Sequence, residues 1–306
     1  MKADERMVLT IETVEELTAL ARLMRDAAPQ VKLSGQVLDT AGTGGDGAKT
    51  FNVSTTVAIV AAAAGVQVAK QHNRAISSQC GSTELIEELG VVPDLSPEAA
   101  ATCLDETGLC FLSAPLYHPA AASASAPRHE TGARTLFNVL EPLVNPARPQ
   151  HQLLGVADGD LAPKIAEVLR QLGTVHSLVI HGDDGMDEIT CTGTTTVYEV
   201  KNDQINTWSI DPKALGYKIA PRHAILGGDA VENALIARVL LSARGSQYLD
   251  VVEMNTAAAL YAADRVSSIE EGVALAKETV KSGAAAQKLE QVAKVSQELK
   301  SAGVNR

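Results

Sequence analysis

Four glycines in six positions, Gly42-Thr43-Gly44-Gly45-Asp46-Gly47, constrain this chain more than any other feature. They stand between a short segment that reads as a strand, Gln36 to Asp39, and one that reads as a buried helix, Val53 to Ala64, stopped by Gly65. Nothing regular is expected from Ala41 to Thr50. A plain turn seldom needs so many glycines. They admit positive φ and let backbone N–H groups approach anionic oxygens closely. Asn52, Ser54 and Thr55 follow at the helix start, where free amides and the helix dipole favour negative charge. The segment therefore reads as a phosphate cradle. It also matches GxGxxG, the dinucleotide fingerprint, but that motif needs a helix opening inside it and an acid after the second strand. Here Thr50, Phe51 and Asn52 precede the helix, and the second strand, Val66 to Lys70, ends in a lysine.

A polar loop then runs from Gln71 to Gly81, before a helix from Ser82, read as its cap, to Leu89, with Gly90 beyond. Lys70, Asn73, Arg74, Ser77, Ser78 and Ser82 supply cations, an amide and hydroxyls in this stretch. In sheets built from alternating strands and helices, ligands lie beyond the carboxyl ends of strands, where both loops are expected. The alternation continues. Thr13 to Ala28 reads as a helix opened by a Thr13–Glu16 capping box. Cys110 to Leu112 and Ser177 to His181 read as strands, and Asp160 to Leu172 as a helix. Val197 to Lys201 and Ile205 to Ile210 form a hairpin across Asn202–Gln204, and the chain is mostly helical from Asp229 onward. The expected fold is α/β, a mainly parallel sheet flanked by helices over residues 34–306, with a small helical part over residues 1–33.

A net charge of -11 opposes a nucleic-acid surface, which needs clustered Lys and Arg. The longest apolar run, Val57 to Val66, is too short to span a bilayer, and the N-terminus lacks the apolar core of a secretory signal. Cys80, Cys103, Cys110 and Cys191 form no CxxC pair, so they read as reduced thiols of a cytoplasmic protein.

These segments together resemble the anthranilate phosphoribosyltransferase family. Residues 42–55, GTGGDGAKTFNVST, are similar to its diphosphate-binding signature, and Lys70 to Ser82 to its second loop. The likeness continues through Ala114-Pro115-Leu116-Tyr117-His118-Pro119-Ala120, Gly132 to Asn138, Asn145-Pro146-Ala147, Asp184 to Ile189 and Asn255 to Tyr261, roughly seven-tenths of the chain. The resemblance implies a nucleoside phosphorylase/phosphoribosyltransferase-like fold. It implies transfer of ribose 5-phosphate from phosphoribosyl diphosphate to the amine of anthranilate, with release of diphosphate, in tryptophan biosynthesis. The transition state would resemble an oxocarbenium ion, so neutralising the leaving diphosphate is the main task, and Mg2+ would serve it.

Carried over residue by residue, Gly42, Gly45, Asp46, Thr50, Asn52, Val53, Ser54, Thr55, Lys70, Asn73, Arg74, Ser77, Ser78 and Ser82 would surround the donor. Gly42, Asn73 and Arg128 would contact anthranilate, the guanidinium facing its carboxylate. Ser54, Asp187 and Glu188 match Mg2+ positions. His118 reads as a satisfied loop histidine. The family forms a homodimer through additional N-terminal helices, of which this chain is expected to carry only the last part. Other departures are Gln71-His72 for His-Gly, Ala121-Ala122 for Met-Lys, Glu84 for Asp and Glu141 for Gly. They gather on the acceptor side and the hinge. Other readings are a changed aromatic or base acceptor and a catalytically weakened paralogue. Pyrimidine nucleoside phosphorylases share the fold, but Lys70 to Glu87 lacks the glycine-rich centre of their second loop.

Overall fold

The computed structural model describes residues 13–75, 79–119, 136–243 and 247–303. Its centre is a seven-stranded sheet in the order β3-β2-β1-β4-β5-β6-β7. The strands are β1 (Leu38–Gly42), β2 (Val68–His72), β3 (Leu109–Ser113), β4 (His151–Gly155), β5 (His176–Gly182), β6 (Thr195–Lys201) and β7 (Gln204–Ile210). The first five are parallel, and β6 and β7 add an antiparallel edge. The hairpin turns on Asn202 and Asp203, with φ of 54° and 58°. Two successive left-handed residues match the twist of the strands they join.

Leu153, Leu178 and Ile180 belong to one apolar cluster, and Leu154 and Val179 to another, as a period of two requires when both sheet faces are covered. The larger cluster packs α2 (Val53–Ala63), α3 (Ser82–Glu88) and α4 (Pro97–Thr107) with the C-terminal helices α8 (Ala230–Leu241), α9 (Gln247–Ala262), α10 (Ile269–Lys281) and α11 (Ala284–Ser301). Short helices α5 (Ala114–Tyr117) and α6 (Leu136–Leu140) lie between β3 and β4. The second cluster seats α7 (Ala162–Leu172) on β4 and β5. The first helix, α1 (Val14–Ala27), opens on the expected capping box, with Thr13 Oγ1 accepting from Glu16 N and Glu16 Oε2 accepting from Thr13 N. It lays Leu17 and Ala21 in the α7 cluster.

Three expectations shift. β1 and β2 each run further toward the C-terminus than the sequence suggested, so Gly42 is the last residue of a strand and Gln71 and His72 lie inside one. β4 and α4 are elements that periodicity left undetected. Ser82 is not the cap of α3: Gly81 holds that position, its N–H donating to Glu84 Oε2 at 3.0 Å. The Ser82 hydroxyl instead bonds the backbone of Asn73, closing the second loop on itself.

Candidate active site

Strand order reverses between β1 and β4, since β2 and β3 extend to one side and β5 to the other. Such a switch point opens a crevice at the strand carboxyl ends. Here the two strands end on Gly42 and Gly155, paired in register. The segment after β5 crosses directly above them. A Cβ at Gly155 would fall inside the Asp187 carbonyl oxygen, and one at Gly42 against the Asp187 carboxylate. Both strand ends are therefore bare so that Asp187 can lie on them. Asp187 Oδ2 accepts from Gly44 N at 2.7 Å, which ties the glycine loop to the same segment.

That loop has φ of 64°, 72° and 68° at Gly44, Gly45 and Gly47, as a chain folded back over a ligand space requires. It delivers the chain to α2, whose N-cap residue, Asn52, makes no side-chain cap. Asn52 serves other ends. Its Nδ2 donates to Cys80 O at 3.3 Å, and its Oδ1 accepts from Asn233 Nδ2 at 2.9 Å, joining the two loops to α8. The first turn of α2 borders a cleft of about 260 Å3, lined by the glycine loop, Thr50 to Thr55, Asn73 to Ala75, Cys80 to Ser82, Asn138, Glu141, Asp187 and Glu188; its Val53 N–H donates to Phe51 O at 2.7 Å and its Ser54 N–H to the Glu188 carboxylate.

Lys70 lies behind this wall. It is 2% exposed and its ammonium donates to Thr40 O and, at 3.2 Å, to Ser54 Oγ. Beneath it Asp39 is fully buried, with Oδ2 accepting from Asn145 Nδ2 at 2.8 Å, which also reaches Ala69 O. Burial raises the Asp39 carboxyl and lowers the Lys70 ammonium, and each charge offsets the other's shift. Arg74 lines the cleft but is engaged, pairing with Glu87 at 2.7 Å and Glu84 at 3.4 Å. Thr55 is wholly buried in the first turn of α2.

Three acids converge on the cleft. Asp187 and Glu188 keep part of their surface on it, yet burial and the nearby Asp46 carboxylate push Asp187 up to about 7, and burial with the charge of Asp187 pushes Glu188 well above the usual carboxylate range. The Asp46 carboxylate adds to both shifts, and its Oδ2 is a buried oxygen with no partner. No group of three His, Cys, Asp or Glu forms a ready cage for a metal among the described residues. Hard carboxylate oxygens with an uncommitted member nearby instead suit a small divalent ion that brings most of its own ligands.

Gly42, Gly45, Asp46, Thr50, Asn52, Val53, Ser54, Thr55, Asn73, Arg74, Ser82, Asp187 and Glu188 are thus brought together around one cleft, with Lys70 just behind. Ser77, Ser78 and Arg128 lie outside the described residues, as do Ala121 and Ala122. Asp39 and Gly155 were not singled out in the sequence, and Asn138 entered only as the end of the Gly132–Asn138 likeness. His118 is satisfied, with Nε2 2.8 Å from Val144 O. The four cysteines are free and buried.

Two departures prove to be turned away from the ligand space. Gln71 Nε2 donates to Glu141 O at 2.9 Å, so two of the unusual positions hold each other. His72 packs edge-on to Phe111, its Nδ1 2.9 Å from Thr83 Oγ1 and its Nε2 3.0 Å from Pro93 O. A carbonyl can only accept, so Nε2 carries the proton and Nδ1 accepts from the threonine. Burial pushes this imidazole down from 6.5 to about 4. A base lowered on folding supports the fold above its unfolded pKa and loses that support as pH falls from 6.5 toward 4. Denaturant titrations at pH 7 and pH 5 should show the wild type losing about 2 kcal/mol more than His72→Gln over that interval. An equal loss in both would contradict this placement of the proton.

Comparisons with known proteins agree on one family. A family model described as glycosyl transferase family, a/b domain, matches residues 34–286. The anthranilate phosphoribosyltransferase of Brevibacillus brevis is 49% identical over 283 residues, 92% of this chain and 83% of that protein. Among solved structures, the Thermus thermophilus enzyme of that name superposes with a TM-score of 0.87 at 41% identity, covering 94% of this chain and 86% of its own. The Saccharomyces cerevisiae enzyme in complex with PRPP and Mg gives 0.86 at 29% identity, over 94% and 81%. The same yeast protein has also been solved with 4-fluoroanthranilate.

Proposed function

The chain belongs to the glycosyl transferase family and, within it, to the anthranilate phosphoribosyltransferases, and we infer that it moves the 5-phosphoribosyl group of phosphoribosyl diphosphate onto the amine of anthranilate, releasing diphosphate, as a step of tryptophan biosynthesis. The observation that carries this reading is the crevice at the β1–β4 switch point, where a glycine loop, the first turn of α2 and a carboxylate pair face one space.

In this reading Asn52 and the Ser54 hydroxyl receive the donor's phosphates at the positive end of the α2 dipole. Val53, Thr50 and Gly45 shape the same wall, and Gly42 leaves room above the strand end. Thr55 is assigned to the phosphates as well, and its buried hydroxyl has no partner among the described residues. Lys70 acts from behind, holding the Ser54 hydroxyl and balancing Asp39 and Glu188. Asn73, Ser82 and Arg74 close the opposite wall, and Ser77 and Ser78 are assigned to the donor as well. Arg74 reaches a phosphate only by exchanging Glu84 and Glu87 for it.

Ser54, Asp187 and Glu188 are the proposed Mg2+ positions, and the unpartnered Asp46 oxygen fits the same role. When bound, Mg2+ neutralises the charge growing on the leaving diphosphate. Anthranilate brings a neutral aromatic amine, so no strong base is needed. Gly42, Asn73 and Arg128 are assigned to it. A homodimer, a cytoplasmic location and the division into residues 1–33 and 34–306 belong to the same proposal. Free buried cysteines support the location, and no helix among the described residues is long and apolar enough to cross a membrane.

Diphosphate release with a set of acceptors tests the assignment. Release should require anthranilate and be absent with purine or pyrimidine bases. Arg128→Ala should raise the Michaelis constant for anthranilate by about 10-fold or more, with little change for the donor. An unchanged acceptor constant would remove Arg128 from the acceptor site.

A further inference from the structure

At the opposite pole of the sheet, where β4 and β5 begin, lies a second cavity of about 410 Å3. It opens where α1, the residues leading into β4 and the C-terminal end of α7 meet. Three arginines border it, Arg22, Arg25 and Arg148, against a single carboxylate, Asp26. That is a marked local excess of positive charge in a chain of net charge -11.

The bonds these groups make leave part of each inner guanidinium unused. Arg148 Nη2 donates to Asp26 Oδ1 at 2.7 Å and to Arg25 O at 2.9 Å. Arg25, only 7% exposed, spends its Nε on Leu143 O at 2.7 Å. Arg25 Nη2 and Arg148 Nε are buried with no partner among the described residues. Arg22, on the exposed rim, donates to Gln171 O at 2.6 Å. Burial, with Arg148 beside it, brings Arg25 down to about 10. Water could meet one free N–H but would leave two like charges facing each other. An oxyanion offsets the like charges, and it reaches the two sealed N–H groups after a small rotation of the guanidinium planes.

We propose that this cavity is a binding site for a small phosphate-bearing anion, held between the Arg25 and Arg148 guanidinium groups with Arg22 at its mouth. Tetrahedral oxyanions accept from several guanidinium N–H groups together. The space exceeds that of inorganic phosphate, so the organic body of a phosphate monoester fits. The site is separate from the cleft at the strand carboxyl ends, lying about 16 Å away along the five residues of β4.

The test is thermal unfolding of the full chain in inorganic phosphate, ribose 5-phosphate or malonate, each against sodium chloride at equal ionic strength. Phosphate binding in the catalytic cleft contributes equally to every variant compared. Wild type should be stabilised by both phosphates. Arg148→Gln should need at least about 10-fold more phosphate for the same shift, and the rim variant Arg22→Gln at least about 3-fold more. Because Arg22 is exposed, its variant carries the test if Arg148→Gln fails to fold. Ribose 5-phosphate acting at or below the concentration of free phosphate supports a cavity that takes an organic monoester. Equal phosphate responses in wild type and the folded variants, or malonate matching phosphate, would overturn the proposal.

Discussion

Asp187→Asn combined with Glu188→Gln removes magnesium-dependent turnover, with a fall in kcat of about 1000-fold or more, and leaves the ligand-free protein at least as stable as the wild type. The two halves of this expectation have one cause. Both carboxyl groups are raised by burial first and by neighbouring acids next. A carboxyl whose pKa rises on folding weakens the fold as pH climbs from its unfolded value, 3.8 for Asp187, through about 7. Above that range the ligand-free protein holds repelling charges that a cation would relieve. The amide variants keep the shapes and lose the repulsion, so the melting temperature at pH 8 should hold or rise. Asp187 also accepts from Gly44 N, and an amide oxygen can still do so. A variant that unfolds would show the pair to be structural, and one that keeps turnover would show that the metal binds elsewhere.

Gly155→Ala is expected to be the most damaging single-methyl change in the sheet. Its Cβ would occupy the place of the Asp187 backbone carbonyl, which has no flexible tail to move aside. Either the end of β4 or the whole Asp187 segment must shift. Overpacking of this kind costs about 1–3 kcal/mol. A displacement near 1 Å of positioned groups costs about 100-fold in rate. Gly193→Ala is the matched control, in the same connection between β5 and β6, where a Cβ meets nothing within 4 Å and φ is not positive. Melting temperature and kcat/KM measured together separate the effects. Wild-type behaviour of Gly155→Ala would mean that the segment does not lie on the strand ends.

Much of this arrangement was legible in the sequence because its signals are local. The glycine loop needs positive φ, α2 is apolar from Val57 to its end, and the Thr13–Glu16 box and the Asn202-Asp203 turn are set by neighbours in the chain. What stayed hidden depends on distant partners. β4 begins His151-Gln152, which breaks an apolar run. Both are buried because His151 reaches Ala262 O and Gln36 Oε1 and Gln152 reaches Pro142 O. The polar ends of β2 misled for the same reason, His72 being satisfied by Thr83 and Pro93. The need for glycine at 155 arises from the carbonyl of Asp187, far along the chain, and no periodicity announces it. Lys70 was expected on the donor, while its position within β2 sets it beneath Ser54.

The most direct test follows anthranilate fluorescence in the purified protein after addition of phosphoribosyl diphosphate, with Mg2+ and with a chelator in its place. The account predicts a decay that requires donor, protein and Mg2+ together and is lost in the Asp187→Asn, Glu188→Gln variant. Constant fluorescence with Mg2+ present, in a folded protein that still binds the donor, would contradict anthranilate as the acceptor.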